Sequence, residues 1–216
     1  MKTYSILRTK EDSELARVHL TGRVVDLGGH KGSSYYSILN SLEPVEVANF
    51  DSEEAGTHKV NSGADHIIDL EKPFPFLNAT FDHVLCINVM EHIYNFKNLA
   101  TESSRILTSD GTMYVSVPFF FNIHASPNDY FRYTKSALER IFSDAGFARV
   151  IVTELGDGPC SAIFQNFGGS IPTLFLKLLF TTIAIAIDTT LSKLSNRYRG
   201  IRYRVPLGYF VVAHKK

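Results

Sequence analysis

Tryptophan is absent from this 216-residue chain, methionine occurs 3 times, and cysteine only 2 times. Cys86 and Cys160 stand far apart without metal or redox spacing, which excludes a disulfide framework and a CxxC-type thiol centre. Cys86 lies inside the apolar run FDHVLCIN, the setting of a core thiol in a reducing compartment. Net charge is missing too. The 22 Lys and Arg balance 22 Asp and Glu, so there is no bulk attraction to nucleic acid, and no RNA-binding module appears. Neither an internal repeat nor a low-complexity linker divides the sequence. The first residues, MKTYSILRTKEDSE, are too polar for a signal peptide. These absences leave one large domain over residues 1–216, long enough to bury a full core, and expected in the cytoplasm.

What is present alternates. RVVDL (23–27), VEVANF (45–50), HIID (66–69), FDHVLCIN (81–88) and TMYVSVP (112–118) read as strands. Their continuous apolarity suggests burial on both faces, the mark of a parallel sheet in an α/β fold. KGSSYYSILNS, FKNLATESSRIL and KSALERIFSDAG read as the helices between them. Asp110-Gly111 predicts a turn before the fifth strand. Ala145-Gly146-Phe147 predicts a helix end leading into a sixth strand, ARVIVTEL (148–155), and GYFVVAHKK (208–216) reads as the last.

Between the sixth and last strands lie roughly fifty residues where a short loop would serve. This helical insertion, at about 158–206, contains IPTLFLKLLFTTIAIAI (171–187) with Lys177 its only charge, then Lys193, Arg197, Arg199, Arg202 and Arg204. Asp188 is the only acid from Gly158 onward, so the balanced total hides a basic end. Three readings of the apolar run stay open. A transmembrane helix needs ~20 apolar residues, and this run is slightly short. The others are a buried helix at a homodimer contact and a segment lying in a membrane surface. Cations directly after an apolar helix favour a lipid surface or a lipid-linked phosphate, so residues 171–204 are the expected contact region.

The stretch VVDLGGHKGSS (24–34) is the strongest local signal. A glycine-rich turn between a strand and a helix exposes backbone N–H groups and admits a ligand closely. Nicotinamide-binding domains place G-x-G-x-x-G there, whereas here the spacing is D-x-G-x-x-x-G. A carboxylate at Asp26 would repel a pyrophosphate and suits an ammonium group. Asp51, just past the second strand, can accept both hydroxyls of a ribose. Asp69 and Leu70, ending the third, are placed for an exocyclic amine and a purine face. Together they describe a nucleoside with a cationic tail and no phosphates, which is S-adenosylmethionine.

On these residues the sequence resembles the class I S-adenosylmethionine-dependent methyltransferases. VVDLGGHKG is similar to their first motif, FDHVLCINVMEHIYN to the fourth-strand motif, and ESSRILTSDGTMYVSVP to the elements that follow. HASPNDYFRYT (124–134) resembles a subgroup found in polysaccharide and lipid-linked glycan biosynthesis. The resemblance implies an α/β fold, a Rossmann-like seven-stranded sheet with helices on both faces and the helical insertion before the last strand. It implies that Asp26, Gly28, Gly29 and Gly32 floor the methionine part, that Asp51 holds the ribose and Asp69 with Leu70 the adenine, and that Asn88 lies beside the methionine. His30 stands where the family usually has glycine. If its φ is positive the turn is strained; either the turn adjusts or cofactor affinity falls.

The acceptor side is less defined. Methyl transfer needs alignment first, and a hydroxyl acceptor also needs a base. His124 has the right titration range for that base and Asp129 could orient it; Tyr130 and Arg132 could hold an acidic or phosphorylated acceptor. Alternatively Asp129 and Arg132 simply pair with each other. Glu91-His92 reads as the start of the helix after the fourth strand, with Glu91 either an acceptor contact or a first-turn acid and His92 a packed neighbour. The remaining histidines show no ligand spacing, so no metal site is expected. The expected activity is O-methylation of a small-molecule, sugar or lipid-linked glycan acceptor in the cytoplasm or peripherally at the inner membrane face. Methylation of a quinone or lipid, and a non-catalytic scaffold, are the alternatives.

Overall fold

The computed structural model of the protein describes residues 5–50, 63–168, 171 and 173–216. Helix α1 (Ile6–Leu15) is followed by β1 (His19–Leu20), β2 (Val24–Leu27), a 3₁₀ turn (Ser34–Ser37), β3 (Asn40–Ser41), β4 (Val45–Asn49) and β5 (His66–Ile67). Then come β6 (Phe81–Ile87), a second 3₁₀ turn (Met90–His92), α2 (Phe96–Ile106), β7 (Leu107–Pro118), α3 (Lys135–Asp144) and β8 (Arg149–Leu155). The chain ends with α4 (Pro159–Phe167), α5 (Leu174–Leu194), α6 (Asn196–Arg202) and β9 (Gly208–His214).

Seven strands form one sheet in the order β5-β4-β2-β6-β7-β9-β8, and β1 pairs with β3 in a separate two-stranded ribbon. The first five strands of the large sheet run parallel; β9 inserts between β7 and β8, antiparallel to both. Packing explains the two faces. On one side Leu99 and Ala100 of α2 and Leu138 and Phe142 of α3 cover Val25, Val84, Val115 and Val211. On the other, Ile6, Leu7 and Leu15 of α1 and Ala162 of α4 cover Val24, Leu85 and Phe210. Because β4 leaves β2 on one side and β6 joins it on the other, chain direction across the sheet reverses there. The crevice outside the strand ends at such a switch point is where α/β sheets take ligands.

Four local expectations change. Helix α1 is absent from the sequence reading. KGSSYYSILNS is not a helix but a 3₁₀ turn followed by β3, because Gly, Ser and paired Tyr are weak helix formers and both tyrosines are drawn to Asp26. Glu91-His92 lies in a 3₁₀ turn, and α2 starts only at Phe96, where the Asn95 side chain accepts from Asn98 N–H. The Asp110-Gly111 turn falls within β7 as an irregularity: Leu107 pairs with Phe81, but Thr112 already pairs with His83.

Helix α5 is longer than the apolar run suggested: at 21 residues it is long and apolar enough to cross a membrane by length and composition, where the run read as slightly short, and only its Thr181, Ala184 and Asp188 are buried. Asp188 accepts from the N–H groups of Cys160 and Ser161 at the start of α4 and from the Tyr198 hydroxyl at 2.5 Å. The lone acid of the basic end thus caps one helix and ties α5 to α6. Phe175, Leu179, Phe180, Ile183 and Ile187 face outward.

Candidate functional site

The glycine turn leaves β2 at the switch point. Gly28 has φ 76°, in the left-handed region, and its N–H donates to the Ala48 carbonyl of β4 at 2.7 Å. A β-carbon there would fall 2.5 Å from a Val89 methyl, and one at Gly29 would fall 2.1 Å from an Asp26 oxygen. Neither position has room for a side chain. The Asn49 side-chain amide donates to the Gly29 carbonyl at 2.8 Å and so ties the turn to the end of β4. Asp51 lies outside the described residues.

His30 is not among the described residues with positive φ, so the turn adjusts: Gly28 takes the left-handed position. The His30 ring nitrogen Nδ1 accepts from Gly32 N–H at 2.8 Å, which makes the imidazole part of the turn.

Asp26 is fully buried, and both Tyr35 and Tyr36 donate their hydroxyls to its Oδ2 at 2.5 Å. Burial pushes its carboxyl up to about 6, against the two tyrosine hydrogen bonds. Its other oxygen, Oδ1, has no hydrogen-bond partner among the described residues. An unsatisfied buried carboxylate oxygen costs stability, a cost that a cationic group reaching it would offset. Asn88, just past β6, has φ 54°, a conformation asparagine tolerates better than most residues. Asp69 is exposed, accepts from Glu71 N–H and pairs with Lys72 at 3.1 Å. Leu70 is only 5% exposed and packs in the core.

A second cluster forms beyond β6 and β7, at the same edge. Arg132 grips Asp129 through both terminal nitrogens, at 2.5 and 2.7 Å, and Asp129 also accepts from His124 N–H. The Arg132 pairing holds the Asp129 carboxyl down at about 2. Arg132 is therefore committed to the loop, donating also to the Asn122 and Phe131 carbonyls. Tyr130 stays exposed, edge-on to Tyr94. His124 Nε2 lies 3.5 Å from Glu91 Oε1, and this contact with burial opposing it holds the imidazole above its usual range. Asp129 Oδ2 lies 3.4 Å from His124 Nδ1. Glu91 is itself fully buried.

One buried acid went unread in the sequence. Glu11 of α1 accepts from the Ser116 hydroxyl at 2.6 Å, beneath the strand ends, and burial raises its carboxyl while Arg8, Ser116 and Asn88 oppose the rise. The available signal was Ser5 as an N-cap before Leu7, Glu11 and Leu15, spaced on one helical face.

Residues 9–152, more than half of the chain, match the family described as "Methyltransferase domain". No curated protein matches the chain. Among solved structures, a Thermotoga maritima SAM-dependent methyltransferase is similar at 15% identity and TM-score 0.59, covering 99% of this chain and 90% of that one. Geranyl diphosphate C-methyltransferase from Streptomyces coelicolor, solved with geranyl diphosphate and S-adenosyl-L-homocysteine, aligns at 13% identity and TM-score 0.56, over 96% of this chain and 80% of that one. Haemonchus contortus phosphoethanolamine N-methyltransferase 2, solved with S-adenosylhomocysteine, aligns at 14% identity and TM-score 0.57, over 96% of this chain but only 52% of that one. The chain thus spans about half of that enzyme. These likenesses concern the fold; the match over residues 9–152 shows that the chain belongs to the methyltransferase-domain family.

Proposed function

We propose that the protein is an S-adenosylmethionine-dependent methyltransferase that methylates a hydroxyl of a small, sugar-containing or lipid-linked acceptor. The observation that carries this reading is the join between two clusters. The segment from Asn88 to His92 has the glycine turn against Val89 at one end and the Glu91–His124 contact at the other. A donor bound at the turn and an acceptor held by the second cluster would therefore meet across one short stretch of backbone.

Gly28, Gly29 and Asp26 fit the cofactor by the two criteria seen above, a backbone cradle without side chains and an orphaned carboxylate oxygen. Asp51 and Asp69 complete the set on the family resemblance. When bound, S-adenosylmethionine supplies an electrophilic methyl on sulfur. The residues of the second cluster deal with the proton: the acceptor hydroxyl gives it to His124 Nε2, with Asp129 and the Asn122 carbonyl orienting Nδ1. Arg132 fixes Asp129 rather than gripping the acceptor, which leaves Tyr130 as the open contact.

The exposed apolar face of α5, with Arg197, Arg199 and Arg204 exposed after it, supports a peripheral position on an anionic membrane, at the cytoplasmic side. A lipid-linked glycan acceptor suits that position, and a quinone or membrane lipid suits it as well. Incubation with S-adenosylmethionine and each acceptor class, reading S-adenosylhomocysteine release, decides between them. Cofactor binding without release for any class would leave only the scaffold reading.

A further inference from the structure

Glu91, His92 and His124 each offer one ligand atom, and these atoms all lie within 4.8 Å of one another. Glu91 Oε1 lies 3.5 Å from His124 Nε2 and 3.7 Å from His92 Nε2. The imidazole protons are placed by the other ring nitrogens. His92 Nδ1 lies 2.5 Å from the Asn128 carbonyl, and His124 Nδ1 lies 3.2 Å from the Asn122 carbonyl. A carbonyl only accepts, so each Nδ1 carries a proton and donates. In the neutral rings both Nε2 atoms then present lone pairs to Glu91. Its two carboxylate oxygens are buried and have no hydrogen-bond donor among the described residues. Acceptors facing acceptors around a buried carboxylate call for a proton or a metal cation between them.

We propose that Glu91, His92 and His124 form a binding site for a divalent transition-metal ion, zinc being the best match to two imidazoles and one carboxylate. Ligand bonds of ~2.0–2.2 Å in a tetrahedron put neighbouring donor atoms ~3.4 Å apart. Two of the three edges are already close to that, and His124, on the loop after β7, closes the third by moving its ring. Both histidines have the outer hydrogen bond to a carbonyl that fixes the tautomer of a metal ligand. Three protein ligands leave the fourth position open, and His124, 37% exposed at its side chain, marks the solvent side. An oxygen of the acceptor would take that position. With the ion bound, His124 Nε2 would be a ligand, so the base role proposed above belongs to the ion-free form; the ion would supply Lewis acidity to a bound hydroxyl in its place.

The ion site rests on the side-chain geometry and only its use of the acceptor oxygen rests on the methyl-transfer reading, so its test is metal binding and not turnover. Metal-free protein is titrated with Zn²⁺ by calorimetry alongside His92→Ala, His124→Ala and His66→Ala. His66 pairs with Glu46 at 2.7 Å away from the cluster and reports adventitious histidine binding. The expected result is one ion per chain at micromolar affinity or tighter, weakened at least about tenfold by each of the first two substitutions and unchanged by the third. His124→Ala removes a partly exposed ring, so it decides the matter even if His92→Ala impairs folding. No saturable binding, or binding equal in wild type and His124→Ala, overturns the proposal and leaves a proton on His124 as the charge that holds the cluster together.

Discussion

Asp26→Asn is expected to stabilise the free protein at neutral pH while weakening its hold on the cofactor. Burial raises the Asp26 carboxyl from the usual value of 3.8 to about 6, despite the hydroxyls of Tyr35 and Tyr36. A carboxyl with a raised folded-state value contributes stability that is present below the unfolded value and lost as pH rises through the folded one. The ionised group therefore costs about 3 kcal/mol above pH 6 relative to its neutral form. Asparagine keeps an acceptor for the two tyrosines and carries no charge. It adds a buried amide donor, whose cost of about 1–3 kcal/mol is the same at every pH. The pH dependence isolates the charge. Urea denaturation of both proteins should show the variant gaining about 2 kcal/mol on wild type between about pH 4.5 and 7.5, with little further change above. A difference that does not move with pH would refute the reasoning, because the charge at Asp26 would then cost nothing. The same variant should bind S-adenosylmethionine more weakly, since the charge that costs stability is the one offered to the ligand.

Two further outcomes follow from the second cluster and from the basic end. His124→Ala should lower the turnover rate by about 10²–10⁴-fold while leaving the dissociation constant of S-adenosylhomocysteine unchanged, as measured by single-turnover kinetics and calorimetry. Replacing Arg197, Arg199 and Arg204 by glutamate should abolish flotation with anionic liposomes at low salt, at about 1 kcal/mol per cation removed; wild-type protein that fails to float would refute the membrane contact and leave the α5 face to a second copy of the chain.

The sheet was legible because strands covered on both faces are mostly apolar, as in VVDL and the VLCI of FDHVLCI, with Asp26 the exception at the glycine turn. The glycine turn was legible for a related reason: only glycine fits beside Val89 and Asp26. What escaped notice was polar or distant. Helix α1 has four buried positions, Ile6, Leu7, Glu11 and Leu15, set among charged residues, so its face looks charged in sequence although it is buried in the fold. Tyr35 and Tyr36 read as helix residues, yet hydrogen bonding to a buried carboxylate outweighs the small preference at stake. The Asp129–Arg132 pair was visible as two charges three apart, and the fold confirms that they meet. His92 reads in sequence as a packed neighbour and His124 as a candidate base, and their nearness was hidden because their separation in the chain is large; β6 and β7, lying side by side, bring the loops after them together. His30 looked like a strained intrusion since sequence alone does not say which residue of the turn takes the positive φ.

The measurement that tests the central claim most directly is calorimetric binding of S-adenosylmethionine and S-adenosylhomocysteine to wild type and to Asp51→Ala. Micromolar binding by wild type, lost or weakened at least tenfold in the variant, is the predicted result. A folded wild-type protein that binds neither would contradict the account, and the turn around His30 would then be a closed remnant of a cofactor site.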